Sequence, residues 1–275
     1  MTPIILSALK NAAIAIWKHK FLFLLVILFQ ALFLSAWFGN QFYFQKRIND
    51  NMMSVMEQVG KEIPTEMNIT QSFLSQQSLV SEQFLAAIES YGKIIYDVRM
   101  WLIVSAIIFA VLNGFVWGFS NKIVDSRFFL YYWRFVGVSA VYFLIIIAVF
   151  QLSVASTNIT AEDVGKTFTS ASYFFIISVA VILYLMPISF TIIGKRRVRA
   201  IPKRTFLIGV KKIHYILAAY FISILLLAVP IVFLWYLMDN IILLALGTIF
   251  LLIAIIYARM FVMSLINQLD SSAAS

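Results

Sequence analysis

The chain has 275 residues, of which 63% are hydrophobic and 12% are charged, and its formal net charge is +9 at pH 7. Soluble domains are about half apolar and about a quarter charged, so this composition excludes a soluble globular protein and indicates an integral membrane protein. The chain has no cysteine, which excludes disulfides, iron–sulfur clusters, thiolate zinc sites and cysteine nucleophiles.

Residues 1–20 form a short basic and aromatic stretch ahead of the first long apolar run, and similar stretches precede the third and fifth runs. Each predicts a cytoplasmic interfacial helix that lies in the headgroup plane before the chain enters the bilayer. Thr2, Ser126 and Thr205 fit the N-cap positions of these helices. The chain is therefore either three copies of a unit with one interfacial helix and two spans, or three unrelated helices with ordinary membrane flanks.

Six apolar runs of about 20 residues contain no Asp, Glu, Lys, Arg or His. A bilayer core of about 30 Å requires roughly 20 helical residues, and lipid offers no partner for an unpaired backbone. The sequence therefore predicts an all-α polytopic membrane protein with six transmembrane helices. The predicted spans are residues 21–39, 100–119, 135–154, 172–193, 216–237 and 241–258.

The distribution of charges predicts the orientation of the spans. With the N-terminus in the cytoplasm, 15 of the 21 Lys and Arg residues fall on the inner side, Arg259 among them, and 10 of the 12 acidic residues fall outside. Because translocated loops are poor in Lys and Arg, this bias places both termini in the cytoplasm of a cell-membrane protein.

Residues 40–99 are the largest segment between two spans, and their apolar residues follow heptad spacing on both limbs. This rhythm favours an external antiparallel helical hairpin that continues the first two spans, with its tip near Pro64. The alternative is a short cap folded on the membrane surface. A hairpin of this kind suits a protein partner or self-association, and Asn68 at the tip heads a glycosylation sequon.

The spans carry few polar residues, among them Gln30 and Asn113. They form either a polar path or substrate pocket, or ordinary hydrogen bonds between helices. Gly114 and Gly118 form a GxxxG motif next to Asn113, which allows close helix packing either in a dimer or within the chain.

Catalytic signatures are missing from the sequence. It contains no GxxxxGK[ST], HExxH or GxSxG motif and no charge within the apolar runs, although proton relays keep such charges at a cost of at least ~2.5 kcal/mol. We therefore expect a protein that is not an enzyme and has no cofactor.

The densest charge lies between the fourth and fifth spans, where residues 195–212 carry eight cations. They anchor the fourth span on the inner side, and near an anionic leaflet each also attracts lipid headgroups by about 1 kcal/mol. A loop this short does not suit a nucleic-acid interface. The predicted lipid-headgroup or topology patch consists of Lys195, Arg196, Arg197, Arg199, Lys203, Arg204, Lys211 and Lys212.

Two features of the sequence resemble a known group of proteins. A residue such as Ser126 or Thr205 opens an interfacial helix before a long span, and the last span ends in Tyr257-Ala258-Arg259. This pattern over about the last 150 residues resembles six-helix prokaryotic membrane proteins similar to the membrane domain of some glycerophosphodiester phosphodiesterases and related uncharacterised families. The resemblance implies the fold alone, because the phosphodiesterase chemistry of that group belongs to a separate soluble domain.

Two functions follow from these features. The first is a non-enzymatic membrane protein that organises protein partners through the external hairpin, or anionic lipids through the basic cytoplasmic loop. The second is a permease-like transporter subunit that works with a separate ATPase, which would remove the need for a carboxylate within the spans. A lipid-modifying enzyme is a weaker third hypothesis, because no acid or base pair lies near the membrane.

Overall fold

The computed structural model describes residues 2–60, 73–124, 128–155, 164–195, 198–236 and 240–272. These residues are almost entirely helical and contain no strand, so the predicted all-α class is confirmed. The helices are α1 (Thr2–Lys18), α2 (Lys20–Gly60), α3 (Phe73–Ile108), α4 (Gly114–Val124), α5 (Phe128–Ala155), α6 (Val164–Ile192), α7 (Ile201–Lys211), α8 (Ile213–Tyr236) and α9 (Ile241–Ser272). A π-helical turn, Phe109–Asn113, joins α3 to α4.

In the described part of the chain, six helical stretches are long and apolar enough to cross a membrane. They are Lys20–Met56, Glu89–Ile123, Phe128–Ser153, Ser172–Ile192, Ile213–Tyr236 and Ile241–Ser271, and each overlaps one of the six predicted spans. Large apolar side chains such as Leu24, Leu144, Ile177 and Ile224 stay more than half exposed along them. A bilayer accepts such surfaces, so the chain is a multi-pass membrane protein.

The chain divides into two compact units, one formed by Met1–Leu34 with Phe109–Ser275 and the other by Ser35–Ile108. The core of the larger unit is aromatic. The Phe190 side chain is 1% exposed, and its ring centroid lies 4.3 Å from that of Phe135 and 5.4 Å from that of Trp117. Phe109 and Tyr142 complete this cluster around the ring. Since lipid tails are as apolar as these rings, close packing holds such a bundle together.

Pro187 interrupts the backbone hydrogen bonds of α6, and two tyrosines bond to carbonyl oxygens of the same helix. The Tyr220 hydroxyl donates to the Tyr184 carbonyl oxygen at 2.9 Å, and the Tyr131 hydroxyl donates to that of Phe190 at 2.8 Å. Bonds of this kind between helices allow a proline to remain within an apolar span.

In the smaller unit, α2 and α3 contact each other through polar side chains. The Asn40 amide donates to the Ser105 hydroxyl at 2.9 Å, and the Arg47 guanidinium lies 2.8 Å from the Asp97 carboxylate. Asn51 donates to the same carboxylate at 2.9 Å. Asn40 pairs with Ser105, and Asn51 pairs with Asp97. Residue numbers therefore rise along α2 as they fall along α3, so these two stretches run antiparallel. The predicted tip and Asn68 lie outside the described residues.

One expectation about helix ends is wrong. Thr205 is not an N-cap, because α7 begins at Ile201 after Ala200, with Pro202 in the first turn where proline is favoured. The Thr205 side chain is instead buried inside that helix. The last helix continues beyond the apolar run, through Arg259, to Ser272. Ser126 lies outside the described residues.

Candidate functional site

The junction between α1 and α2 carries cations. The α1 helix ends at Lys18, where the His19 amide still donates to the Ala15 carbonyl oxygen at 3.2 Å. The Lys20 ammonium then lies 4.2 Å from the centre of the exposed Trp17 ring. An exposed tryptophan paired with a lysine is typical of a membrane–water interface, where the ring has one apolar and one wet side.

The α1 helix is held against the second half of α9. Ala8 and Ala12 are buried, and the Tyr257 hydroxyl donates to the Leu9 carbonyl oxygen at 3.1 Å. Because alanine has no side chain beyond Cβ, the two helices approach closely along this line. The packing brings the start of the chain next to its end.

A groove of about 500 Å³ opens where α1, α9 and the ends of α4 and α6 meet. Lys18, His19 and Lys195 bring three basic side chains to it from two distant parts of the sequence. Polar side chains also line it: Asn11, Ser264, Asn267, Gln268 and Ser271. We call this set the basic groove.

The chemistry of the basic groove favours an anion. None of the described residues that line it is an aspartate or a glutamate. Lysine ammonium groups are point charges with three donors each, and asparagine, glutamine and serine add neutral donors. A phosphate group offers acceptors on every side, so it matches this mixture.

The structure divides the predicted basic patch. Lys195 lies in the basic groove, whereas Arg199, Lys203, Lys211 and Lys212 lie on or beside α7. This short helix buries Ile201 and Ile208 and leaves Lys203, Lys211 and Phe206 exposed. Arg204 is half-buried on α7, and Arg196 and Arg197 lie outside the described residues. The patch is therefore a groove residue plus an exposed amphipathic helix.

A second polar centre lies within the spans. The Arg259 guanidinium donates through Nη2 to the side-chain oxygen of Gln30 at 2.6 Å, and its Cζ lies 5.4 Å from the centre of the Trp117 ring. Gln30 is 2% exposed and sits in the middle of a predicted span. The structure therefore pairs the Arg259 cation with a buried side chain of another span.

Asn113 lines a cavity of about 510 Å³ together with Arg259 and Trp117. Most of the other lining side chains are apolar, and they come from the π-helical turn and from α6, α8 and α9. Asn113 ends the π-helical turn, and π turns occur frequently at functional sites. Gln30 bonds to Arg259 at this centre, so both polar residues singled out from the sequence lie at or beside one intramembrane cavity.

The GxxxG glycines contact aromatic rings rather than another helix backbone. A Cβ placed on Gly118 would come within 2.7 Å of the Phe128 ring, and one on Gly114 within 3.0 Å of the Tyr132 ring. Both rings belong to α5, so in this chain the two glycines serve packing between α4 and α5.

No family model, no curated protein and no solved structure matches this chain.

Sequence reasoning missed the basic groove and the role of Arg259 for different reasons. Lys18 and Lys195 are far apart in sequence, and only the packing of the bundle brings them together. Arg259 directly follows an apolar run, so the sequence alone predicts that it flanks the last span. A usable signal existed, because apolar residues continue at helical spacing after it, at Met260, Met263 and Ile266, which are all buried.

Proposed function

We propose that this protein is a non-enzymatic membrane protein that organises anionic lipids, whose phosphate headgroups it holds in the basic groove. The observation that carries the proposal is the convergence of Lys18, His19 and Lys195 on one groove whose described lining residues include no aspartate or glutamate. The predicted orientation places this groove at the cytoplasmic leaflet of the cell membrane.

The groove and α7 would act on the same leaflet. An anionic lipid held by Lys18 and Lys195 would have its chains next to the exposed Ile14 side chain of α1, which also lines the groove. Lys203 and Lys211 on α7 add charge without enclosing a headgroup. We therefore assign specific retention to the groove and general attraction to α7.

Native mass spectrometry of the full-length protein with phosphatidylglycerol or phosphatidylcholine tests the proposal. The wild type is expected to retain phosphatidylglycerol in preference. The double variant Lys18→Gln/Lys195→Gln is expected to retain it roughly tenfold to thirtyfold less, because each lysine near a headgroup contributes about 1 kcal/mol.

The matched control is Lys46→Gln/Lys93→Gln, which removes the same charge from exposed positions in the smaller unit. Its retention of phosphatidylglycerol should equal that of the wild type. Equal retention of the two lipids by the wild type, or equal losses in both double variants, would contradict the proposal.

A permease-like subunit that works with a separate ATPase is the second candidate function. It is favoured by α7, a short helix between two spans that presents Phe206 and Val210, 64% and 53% exposed, to any partner on its side. Co-purification from the native membrane decides between the two, since a nucleotide-binding subunit must accompany a permease.

The segment 40–99 is proposed to form an external helical hairpin that contacts a protein partner or a second copy. The antiparallel contacts between α2 and α3 support the hairpin, and the exposed Met52, Met53 and Met56 support a contact surface. Deletion of residues 45–95 should release any co-purifying partner, and a partner that stays bound would refute this role.

A further inference from the structure

We propose that the intramembrane cavity at Arg259 is a second binding site, separate from the basic groove, for an anionic amphiphile with a single apolar chain. The anionic head would bind the Arg259 guanidinium, and the chain would lie along the apolar wall formed by α6 and α8.

The guanidinium has binding capacity left over. Its Nη2 bonds to Gln30, but its Nη1 is enclosed without a hydrogen-bond partner. Gln30 is neutral, and none of the described residues that line the cavity is acidic. A charged residue within a span usually marks a functional site, and the hydrogen-bond partner of Arg259 here, Gln30, is neutral.

A second unpaired group belongs to the same cavity. The Asn113 side-chain oxygen is enclosed without a hydrogen-bond donor, and Asn113 is 4% exposed. Buried polar groups in proteins are almost always paired. Two residues that line one cavity therefore hold an unpaired donor and an unpaired acceptor among the described residues, which is the basis for placing a polar head there.

The rest of the cavity specifies an apolar chain. Phe109, Met186 and Leu227 line it, and its volume of about 510 Å³ falls within the roughly 300–1,000 Å³ typical of small-ligand sites. Leu183 and Ile224, at 55% and 63% exposed, also line it, from α6 and α8. Exposed apolar residues on a span face lipid, so the ligand enters from the bilayer and not from water.

The charge and the entry route together define the ligand class. A water-soluble anion would have to cross the apolar rim, and a neutral lipid would leave the guanidinium without a counter-charge. Arginine binds carboxylate and phosphate groups by the same paired hydrogen bonds. Fatty acids and lysophosphatidates both meet these requirements.

Photolabelling of the full-length protein in detergent tests the site. The probe is a fatty acid with a photoactivatable chain, and peptide mass spectrometry locates the label. Wild type is expected to be labelled on α6, α8 and α9, and Arg259→Gln roughly tenfold less, because a charged hydrogen-bond partner is lost. Arg99→Gln, at an exposed site in the smaller unit, is the matched control and should label as wild type.

Two further arms keep the test decisive if Arg259→Gln does not fold. Ser223→Phe leaves the guanidinium in place but fills the cavity, and it should abolish labelling. Excess unlabelled fatty acid or lysophosphatidate should displace the probe, and the better competitor identifies the head. Equal labelling by the methyl ester of the probe, or failure of both competitors, would overturn the proposal without affecting the basic groove.

Discussion

Replacing Phe190 with alanine is expected to lower the free energy of unfolding by about 3 kcal/mol or more, the largest effect of any single change considered. Phe190 is 1% exposed, and the rings of Phe135 and Trp117 contact it from two sides. Alanine would leave a void that these rigid rings cannot fill, so their dispersion contacts are lost. For a chain of this size, the expected fall in melting temperature is roughly 6–12 °C.

This fall in melting temperature is measured by heating the purified protein in one detergent and using size-exclusion chromatography to quantify the protein that stays folded. Phe174→Ala is the matched control, because it removes the same side chain from the same helix at a position that is 53% exposed. We expect this control to change the free energy of unfolding by no more than about 0.5 kcal/mol. Equal effects of the two substitutions would show that the aromatic cluster is not the core.

Replacing Asp97 with alanine is expected to lower the free energy needed to open the smaller unit by about 2 kcal/mol. The Asp97 carboxylate is 1% exposed and is bonded by Arg47 and Asn51 of α2, so one substitution removes both contacts. Arg47 is half-exposed and is hydrated again at little cost, which keeps the effect below that of breaking a fully buried pair.

Limited proteolysis measures the loosening, because cleavage follows the population of opened molecules. Cleavage within residues 40–99 should accelerate roughly thirtyfold in Asp97→Ala. Asp50→Ala removes an exposed carboxylate from α2 and should cleave at the wild-type rate. Unchanged cleavage in Asp97→Ala would mean that the ion pair does not hold α2 to α3.

The positions of the spans could be predicted because each is a local property of about 20 consecutive residues. The antiparallel contact between α2 and α3 follows from heptad spacing, which is also local. Among the residues with this spacing, Phe44 and Leu102 are buried, whereas Met52 and Tyr91 are 46% and 42% exposed, so the hairpin seam stays a prediction. The N-cap at Thr205 was wrong because α7 begins at Ile201, four residues earlier, with Pro202 in its first turn, where proline is favoured.

Neither site could be predicted in full, because each depends on contacts between distant residues. The sequence indicates that Gln30 and Asn113 are polar residues within spans, but it does not show that Arg259 bonds to Gln30 and lines one cavity with Asn113. Likewise it predicts a basic segment at Lys195 without indicating that Lys18 lies across the same groove. Charge counts locate cations on a side of the membrane, and only packing brings them together.

The orientation of the bundle is the claim on which the lipid-binding groove depends, and single-cysteine labelling tests it most directly. The chain has no cysteine, so each introduced one reports alone. Lys203 on α7 and Met53 on α2 are both exposed. A membrane-impermeant maleimide added to intact cells should label Met53→Cys and should reach Lys203→Cys only after permeabilisation. Labelling of Lys203→Cys in intact cells would contradict the account.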